Sequence, residues 1–486
     1  MNFTALIRQI SKRLPDKTAI IENNEHISYR KLWDTIEKLS QAFHAVGLTD
    51  NNKVIILLPN CREFIYAFFA LLKNKTIAVP LNPKLTAYEL ATIFKTIQPE
   101  AVISTASLIN QLHTANPLFF KNVKLITIDA DVVAEYPRAQ AFTFKRLLST
   151  AVKKPLAFPN TANREIASIN FTYRGYGYPL GAILTHGNYL HGAVGYIRLI
   201  KPDLDQRFLL VMPMSHIFTL VGCVLVPLLR GATVVIMRNL IPSHVFKAIE
   251  EYKIDFLVGV PTFYHALLSN YKPDKYDISS LKHAISGADY LSPELVQEIE
   301  NKLKVEVLQG YGLTETLPII CNPKSKTKPQ SLGIPGHEVK VKIVDDNGQS
   351  QKPGEIGEIL IHSPTVMKGY YNHPKETSEV FKDGWLHTGD LGRLDKEGYL
   401  YFEGLKKDIV KVGGNTIDLN EIKKTLLLHQ AVAEAYIYPK PSVLWGKILE
   451  AEVFVKQGLT EKDLKTHCSN YLAPYKIPAK IKVANI

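Results

Sequence analysis

The chain has 486 residues, more than one hydrophobic core organises, so two or more domains are expected. Hydrophobic residues at 46% and charged residues at 21% exclude a disordered or fibrous chain and suit an ordinary soluble globular one. The 58 basic and 46 acidic residues leave +12, which suits acidic ligands (nucleotides, coenzyme A, acyl carrier proteins, anionic lipid heads) and equally suits a solvated lysine-rich surface.

The opening stretch MNFTALIRQISKRLPDKTAI spaces apolar residues by helical turns among basic ones and lacks the continuous apolar core of a signal peptide. Ser28 to Val46 repeats the helical spacing through Leu32, Ile36, Leu39 and Phe43. VIILLPN (Val54 to Asn60) reads as a buried strand and turn, Phe64 to Leu72 as a helix, and Ile77 to Leu81 as a strand entering Asn82-Pro83. Further strands fall at Thr233 to Met237, Phe256 to Val260 and Val305 to Leu308. Strands alternating with helices predict an α/β fold with parallel layers and ligands near the strand carboxyl ends. Phe208 to Leu229 carries no charged residue and is long enough to span a bilayer, but Pro213, Pro227, Ser215 and His216 make it a buried core passage, so no transmembrane segment is expected.

From about Gly333 the pattern changes. VKVKIVDDNG (Val339 to Gly348) and GEILIHS (Gly357 to Ser363) predict an antiparallel, barrel-like subdomain. After Gly404 a lysine-rich link (Lys406, Lys407) leads into about 80 residues of mixed helix and strand, so the expected domains are 1–405 and 406–486. The cysteines Cys61, Cys223, Cys321 and Cys468 lie far apart with no C-x-x-C pair, which argues against zinc or a disulfide framework and for a reducing cytoplasm. No basic stripe with interleaved aromatics supports nucleic acid as a partner.

Three segments suggest chemistry. LQGYGLTET (Leu308 to Thr316) reads as a strand entering a Gly-Tyr-Gly turn. Gly310 and Gly312 let the backbone approach a planar ring, Thr314 offers a hydroxyl to a phosphate, and Glu315 offers oxygen to Mg²⁺. The same residues also suit a tight turn with a surface acid. Asp390, after Thr388-Gly389, suits the two hydroxyls of a ribose or a plain Asp-containing turn. In VMPMSHIFTLVG, His216 sits between apolar flanks, where a core histidine and a catalytic one look alike.

In this order and separation the three segments resemble the adenylate-forming superfamily of acyl-CoA synthetases, luciferases and peptide-synthetase adenylation domains. The resemblance extends to DKTAI, SYRKL, LPN, VPLNP, ISGADYLS (Ile285 to Ser292), GEIGEI and KGYYNHPKET (Lys368 to Thr377), covering nearly the whole chain. It implies a large N-terminal domain of layered α/β subdomains with the barrel-like subdomain, and a small mobile α+β C-terminal domain. It further implies a ligase that joins a carboxylic acid to ATP with Mg²⁺ and passes the acyl-AMP to CoA or a carrier-protein phosphopantetheine. Gly287, Ala288 and Tyr311 would border adenine, Glu315 would hold Mg²⁺, Asp390 the ribose, and His216 the acyl carboxylate. Lys407 matches the hinge of the small domain, and Gly414 matches a loop lining the pantetheine channel. The hinge lysine, and the lack of an acid after His216, imply an uncharged fatty or aryl acid rather than an amino acid.

The sequence departs from that family where phosphates are held. The family loop T-S-G-T-T-G-x-P-K-G is matched by TYRGYGYPLG (Thr172 to Gly181), followed by an intact LTHGN. Three tyrosines, Tyr173, Tyr176 and Tyr178, are expected to crowd the loop; Leu180 stands at the lysine position, and Arg174 is the one new cation. Leu405 replaces an arginine that contacts nucleotide in the family. The chain also shows no C-terminal Gly-Lys motif; Lys476, Lys480 and Lys482 lie nearby in other contexts. Loss of one preorganised donor costs on the order of 10²–10³ in rate, so two readings stand. One is a working ligase with substitute donors. The other is an impaired relative that binds acyl or acyl-adenylate ligands.

Overall fold

A computed structural model describes residues 3–116, 119–130, 141–150, 163–273, 275–406, 409–442, 445–456 and 458–485. Two large sheets form the frame. The first runs, edge to edge, Ala141–Thr143, Lys124–Thr127, Ala101–Ser104, Lys53–Leu57, Ile77–Pro80, Ile166–Thr172 and Leu180–Thr185. Its neighbours are parallel except the last pair, where Leu180–Thr185 returns antiparallel on Ile166–Thr172. The second runs Ile334–Pro335, Leu317–Cys321, Glu306–Leu313, His283–Ser286, Phe256–Gly259, Arg207–Leu210, Thr233–Ile236, Thr18–Glu22 and Glu25–Ser28. Its centre is parallel and its outer pairs antiparallel.

Side chains on successive strand residues point to opposite faces, and this splits the apolar content into distinct cores. Val54 and Ile56 join the largest core, shared by both sheets, while Ile55 and Leu57 join a separate one under the helices Ala87–Ile97 and Ala106–Ala115. The helix Arg62–Lys73 (REFIYAFFALLK) is apolar nearly all round because it lies wholly in the shared core, with Phe64, Phe68, Phe69 and Leu72 shut off from water. The helix Tyr29–Ala45 starts where expected, capped by Ser28, whose hydroxyl accepts the N–H of Lys31. The passage Phe208 to Leu229 starts as the strand Arg207–Leu210 and, from Ile217, becomes a buried run of short helical pieces, including a π-turn at Leu220–Leu225. Among the described residues no helix is long and apolar enough to cross a membrane.

The predicted antiparallel region forms a five-stranded sheet: Lys340–Val344, Gly357–His362, Trp385–Leu394 and Phe381–Lys382 in order, with Leu400–Leu405 also paired to Trp385–Leu394. The C-terminal region has its own core, built from Val410, Ile417, Ile422, Leu426, Val453 and Leu464 among others. There the hairpin Ile409–Val412/Asn415–Asp418 and the sheet Val432–Ser442, Gly446–Val455, Lys480–Asn485 carry the helices Leu419–Leu427 and Glu461–Ser469.

Two local expectations are corrected. Gly310-Tyr311-Gly312 is not a turn: the strand Glu306–Leu313 continues through it, and the reversal comes at Thr314 to Thr316. The glycines serve the antiparallel pairing instead, since a Cβ on Gly312 would lie 2.1 Å from the carbonyl oxygen of Leu317. Asp390 likewise stands inside the strand Trp385–Leu394 rather than on a turn.

Candidate active site

One cavity gathers most of the residues singled out from the sequence. Its lining includes Thr172, Arg174, His216, Ala288, Gly310, Tyr311, Gly312, Thr314, Glu315 and Asp390. They arrive from the ends of strands in both large sheets and from the antiparallel sheet, so the site sits where three structural units meet. Gly287 is not in that lining; it packs behind it, where an added Cβ would lie 2.7 Å from the Phe218 ring. Its neighbour Ala288 takes the left-handed conformation at φ +65° and turns toward the cavity.

The two key acids are both buried, which removes the surface-acid reading of Glu315. Tyr370 donates its hydroxyl to Glu315 Oε1 at 2.7 Å, and Tyr311 donates to Asp390 Oδ2 at 2.7 Å. Burial raises the Asp390 pKa against the opposing pull of Arg174 and Lys411. Thr388 fixes the strand around it, donating to the Ile359 carbonyl at 2.7 Å and accepting the Asp390 N–H at 3.1 Å.

Arg174 is 4% exposed, with Nε 3.4 Å from Glu315 Oε1 and Nη2 donating to the Thr388 carbonyl. Desolvation opposes its charge, but Glu315, Tyr370 and Asp390 outweigh that and raise its pKa above the usual arginine value. His216 is held by its Nδ1, which accepts the Phe218 N–H at 3.3 Å. Desolvation and the Lys411 charge push its pKa down to about 4, so at neutral pH the ring is uncharged and carries its proton on Nε2.

Lys411 is the principal residue missed from sequence. It lines the cavity, and burial lowers its pKa while Asp390, Asp289 and Glu315 pull it back up. Its only signal was a lysine inside the apolar strand IVKV, where an unpaired cation is costly. Tyr370 and Asp289 lie in segments noted for their resemblance, but nothing in the sequence showed that Tyr370 meets Glu315 or that Asp289 faces Lys411.

The altered loop differs from its expected crowding. Of its substituted residues only Tyr173 and Arg174 reach the cavity, beside the retained Thr172. Tyr176 and Tyr178 turn outward and donate to Glu379 and Glu376, each at 2.6 Å. Leu180 is fully buried as the first residue of its strand, so its side chain belongs to the core. The following LTHGN places Thr185 as a helix cap, in a capping box with Asn188. The C-terminal region grips the loop: Gly177 donates its N–H to Asp418 at 2.5 Å, and Lys424 donates to the Tyr176 carbonyl at 3.0 Å. Lys476 is buried against Glu89 and Glu421, whereas Lys482 pairs with Glu452 on the surface. Gly414, at φ +79°, sits so close to the large domain that a Cβ would lie 2.6 Å from Val260 Cγ1. Lys407 lies outside the described residues. Leu405 lines an adjoining cavity with Phe402 and Leu332.

Comparison with known proteins decides the family. Residues 7–371 match the AMP-binding enzyme family and residues 421–485 match its C-terminal domain. The chain belongs to the AMP-binding enzyme family. This AMP-binding enzyme is 29% identical to the long-chain-fatty-acid–CoA ligase of Bacillus subtilis (strain 168) over 98% of its own length and 89% of the relative's. It is 29% identical to the indoleacetate–CoA ligase of Aromatoleum aromaticum, over 96% and 91%. Among solved structures, a double mutant of Bacillus subtilis o-succinylbenzoate–CoA synthetase bound with its product analogue superposes with a TM-score of 0.86 at 26% identity, covering 99% and 94%. The same synthetase with its acyl-adenylate intermediate gives 0.72 at 27% identity, with the same coverage. The AMP-binding enzyme is thus an acid–thiol ligase by family, with ATP-dependent activation of a carboxylic acid as its chemistry.

Proposed function

We propose that this AMP-binding enzyme activates an uncharged fatty or aryl acid as its adenylate and transfers the acyl group to coenzyme A. In the first half-reaction a carboxylate oxygen attacks the α-phosphorus of ATP and pyrophosphate leaves. In the second, the thiol sulfur attacks the acyl carbon and AMP leaves. The single observation that carries the reading is the convergence of Glu315, Asp390, His216, Arg174 and Lys411 on one cavity, because a purely structural pocket has no need of so many desolvated titratable groups.

Asp390 is the ribose acceptor, since its carboxylate exchanges one hydroxyl donor, Tyr311, for those of a sugar. Thr172, Thr314, Arg174 and Lys411 supply donors and charge to the phosphate side. Neutral His216, donating from Nε2, suits an acyl carboxylate oxygen. Ala288, Gly310 and Gly312 form the flat wall for adenine, with Gly287 packed behind it. An apolar acid is supported by two buried glycines, Gly195 and Gly222, where an added Cβ would meet no atom within 4 Å. They mark open space beside the buried helical segments His186–Ile200 and Leu220–Leu225.

The higher similarity to the product-analogue form than to the acyl-adenylate form supports a small domain standing in the thiol-transfer orientation. Gly414 against Val260 then belongs to the thiol channel, Lys407 to the hinge, and the domains divide at Leu405/Lys406. The four cysteines are free and buried, which suits a reducing compartment such as the cytoplasm.

Mg²⁺ at Glu315 does not fit this arrangement. The buried carboxylate already accepts from Tyr370 and faces the Arg174 guanidinium, whereas Mg²⁺ demands open oxygens and room for its waters. Calorimetry with a non-hydrolysable acyl-adenylate mimic tests the nucleotide assignment. Asp390→Ala is expected to weaken binding at least tenfold; unchanged affinity contradicts it.

A further inference from the structure

We propose that Arg174 is a built-in counter-ion that replaces a divalent cation beside Glu315, so that this enzyme binds the triphosphate of ATP without metal at that acid. The proposal rests on the reading of this cavity as the nucleotide site.

Three observations support it. First, Arg174 approaches the acid that the family resemblance assigns to Mg²⁺, with Nε 3.4 Å from Oε1 and the side chain 5% exposed. A carboxylate removed from water needs a positive partner, and a guanidinium meets that need permanently because it does not deprotonate. Second, the strand beside it engages the guanidinium, because Thr388 turns its carbonyl to accept from Nη2. Third, the guanidinium is held beside the acid by charge and not locked to it: Nε stands 3.4 Å from Oε1 but makes no hydrogen bond among the described residues. A planar cation that also lines the cavity suits a phosphate oxygen.

The same features explain why the loop change is not merely a loss. Its outward tyrosines leave the cavity to Thr172, Tyr173 and Arg174, and Lys411 lines the same cavity, drawn by Asp390 and Asp289. Adding a divalent ion at Glu315 would place a third cationic centre in a cavity that already holds Arg174 and Lys411.

The test is calorimetric titration of the full chain with α,β-methylene-ATP, in Mg²⁺ and in EDTA, with AMP in EDTA as a control. The wild type is expected to keep its triphosphate affinity within about threefold on removal of Mg²⁺. Arg174→Ser should lose at least tenfold in EDTA and regain it with Mg²⁺, while Arg174→Lys, which keeps a charge and guards against a misfolded serine variant, should stay near wild type in EDTA. If the wild type binds AMP but loses the triphosphate tenfold or more in EDTA, the counter-ion proposal is overturned and the nucleotide site stands. If neither AMP nor the triphosphate binds under any condition, the nucleotide reading itself fails, and the counter-ion proposal with it.

Discussion

Lys476, from the C-terminal domain, holds its ammonium 3.9 Å from the ring centroid of Tyr173 in the altered phosphate loop. The same ammonium donates to Glu89 of the large domain at 2.5 Å and to Glu421 of the small one at 3.0 Å, all three side chains being largely shut off from water. One lysine therefore ties the loop, both domains and two carboxylates into a single junction. Breaking a buried pair by deleting one partner costs about 3–5 kcal/mol because the other charge is stranded. Lys476→Met is expected to release the docked small domain without unfolding it, because that domain has its own core. Small-angle scattering checks this: the variant should show a larger radius of gyration than wild type, and an unchanged one would show that the junction does not hold the domains.

Leu180 stands at the family's lysine position, but its side chain is inside the core rather than facing phosphate. Leu180→Lys is therefore expected to destabilise the fold without improving ATP affinity. A lysine fully removed from water shifts by about 3–5 pKa units at roughly 1.4 kcal/mol each, a penalty of about 4 kcal/mol or more. Thermal melting together with ATP titration checks both halves.

Gly414→Ala adds a Cβ that meets Val260 at 2.6 Å and forces a left-handed backbone on a non-glycine residue. If this loop lines the thiol channel only in the docked orientation, acyl transfer should fall at least tenfold while acid-dependent pyrophosphate exchange stays within about threefold. Equal loss in both assays would remove the loop from the thiol channel.

Acid should weaken the fold through neutral buried histidines. Desolvation holds His186 and His283 down to about 4, as it does His216, below the ordinary 6.5. The unfolded chain takes up these protons first, so stability is full above about pH 7 and falls as pH drops toward 4. Neither ring nitrogen of His186 has a hydrogen-bond partner among the described residues. Its share is about 3 kcal/mol at full loss. The melting temperature should fall steadily over that window, and less steeply in His186→Leu. For the same reason, protonation of His216 should not limit acyl activation until pH approaches 4, whereas an acid limb centred near 6.5 would show a solvated imidazole.

The alternating strands and helices were legible because buried parallel strands such as VIILL and apolar helices such as EFIYAFFALL leave strong local signals. The site was legible where residue type alone suggests chemistry, as at Glu315, Asp390 and His216. What sequence could not give was direction. Gly310 to Gly312 looked like a turn because glycine is ambiguous, and only the approach of Leu317 shows that an extended strand needs them. Three tyrosines in one loop looked like three obstructions, yet Tyr176 and Tyr178 find glutamates on the helix Pro374–Val380 about 200 residues away. Tyr370 gave no local sign and Lys411 only that of a lysine in an apolar strand, since their partners come from remote segments.

The central claim is that this AMP-binding enzyme completes both half-reactions. The direct measurement is incubation of the full chain with ATP, coenzyme A and a panel of saturated fatty and aryl acids, with AMP and acyl-CoA quantified by mass spectrometry. At least one uncharged acid should yield AMP and acyl-CoA in equal amounts, both abolished by Asp390→Ala. If AMP and acyl-adenylate mimics bind but no acid in the panel yields either product, the enzyme account is wrong and the chain is a binding protein for acyl or acyl-adenylate ligands.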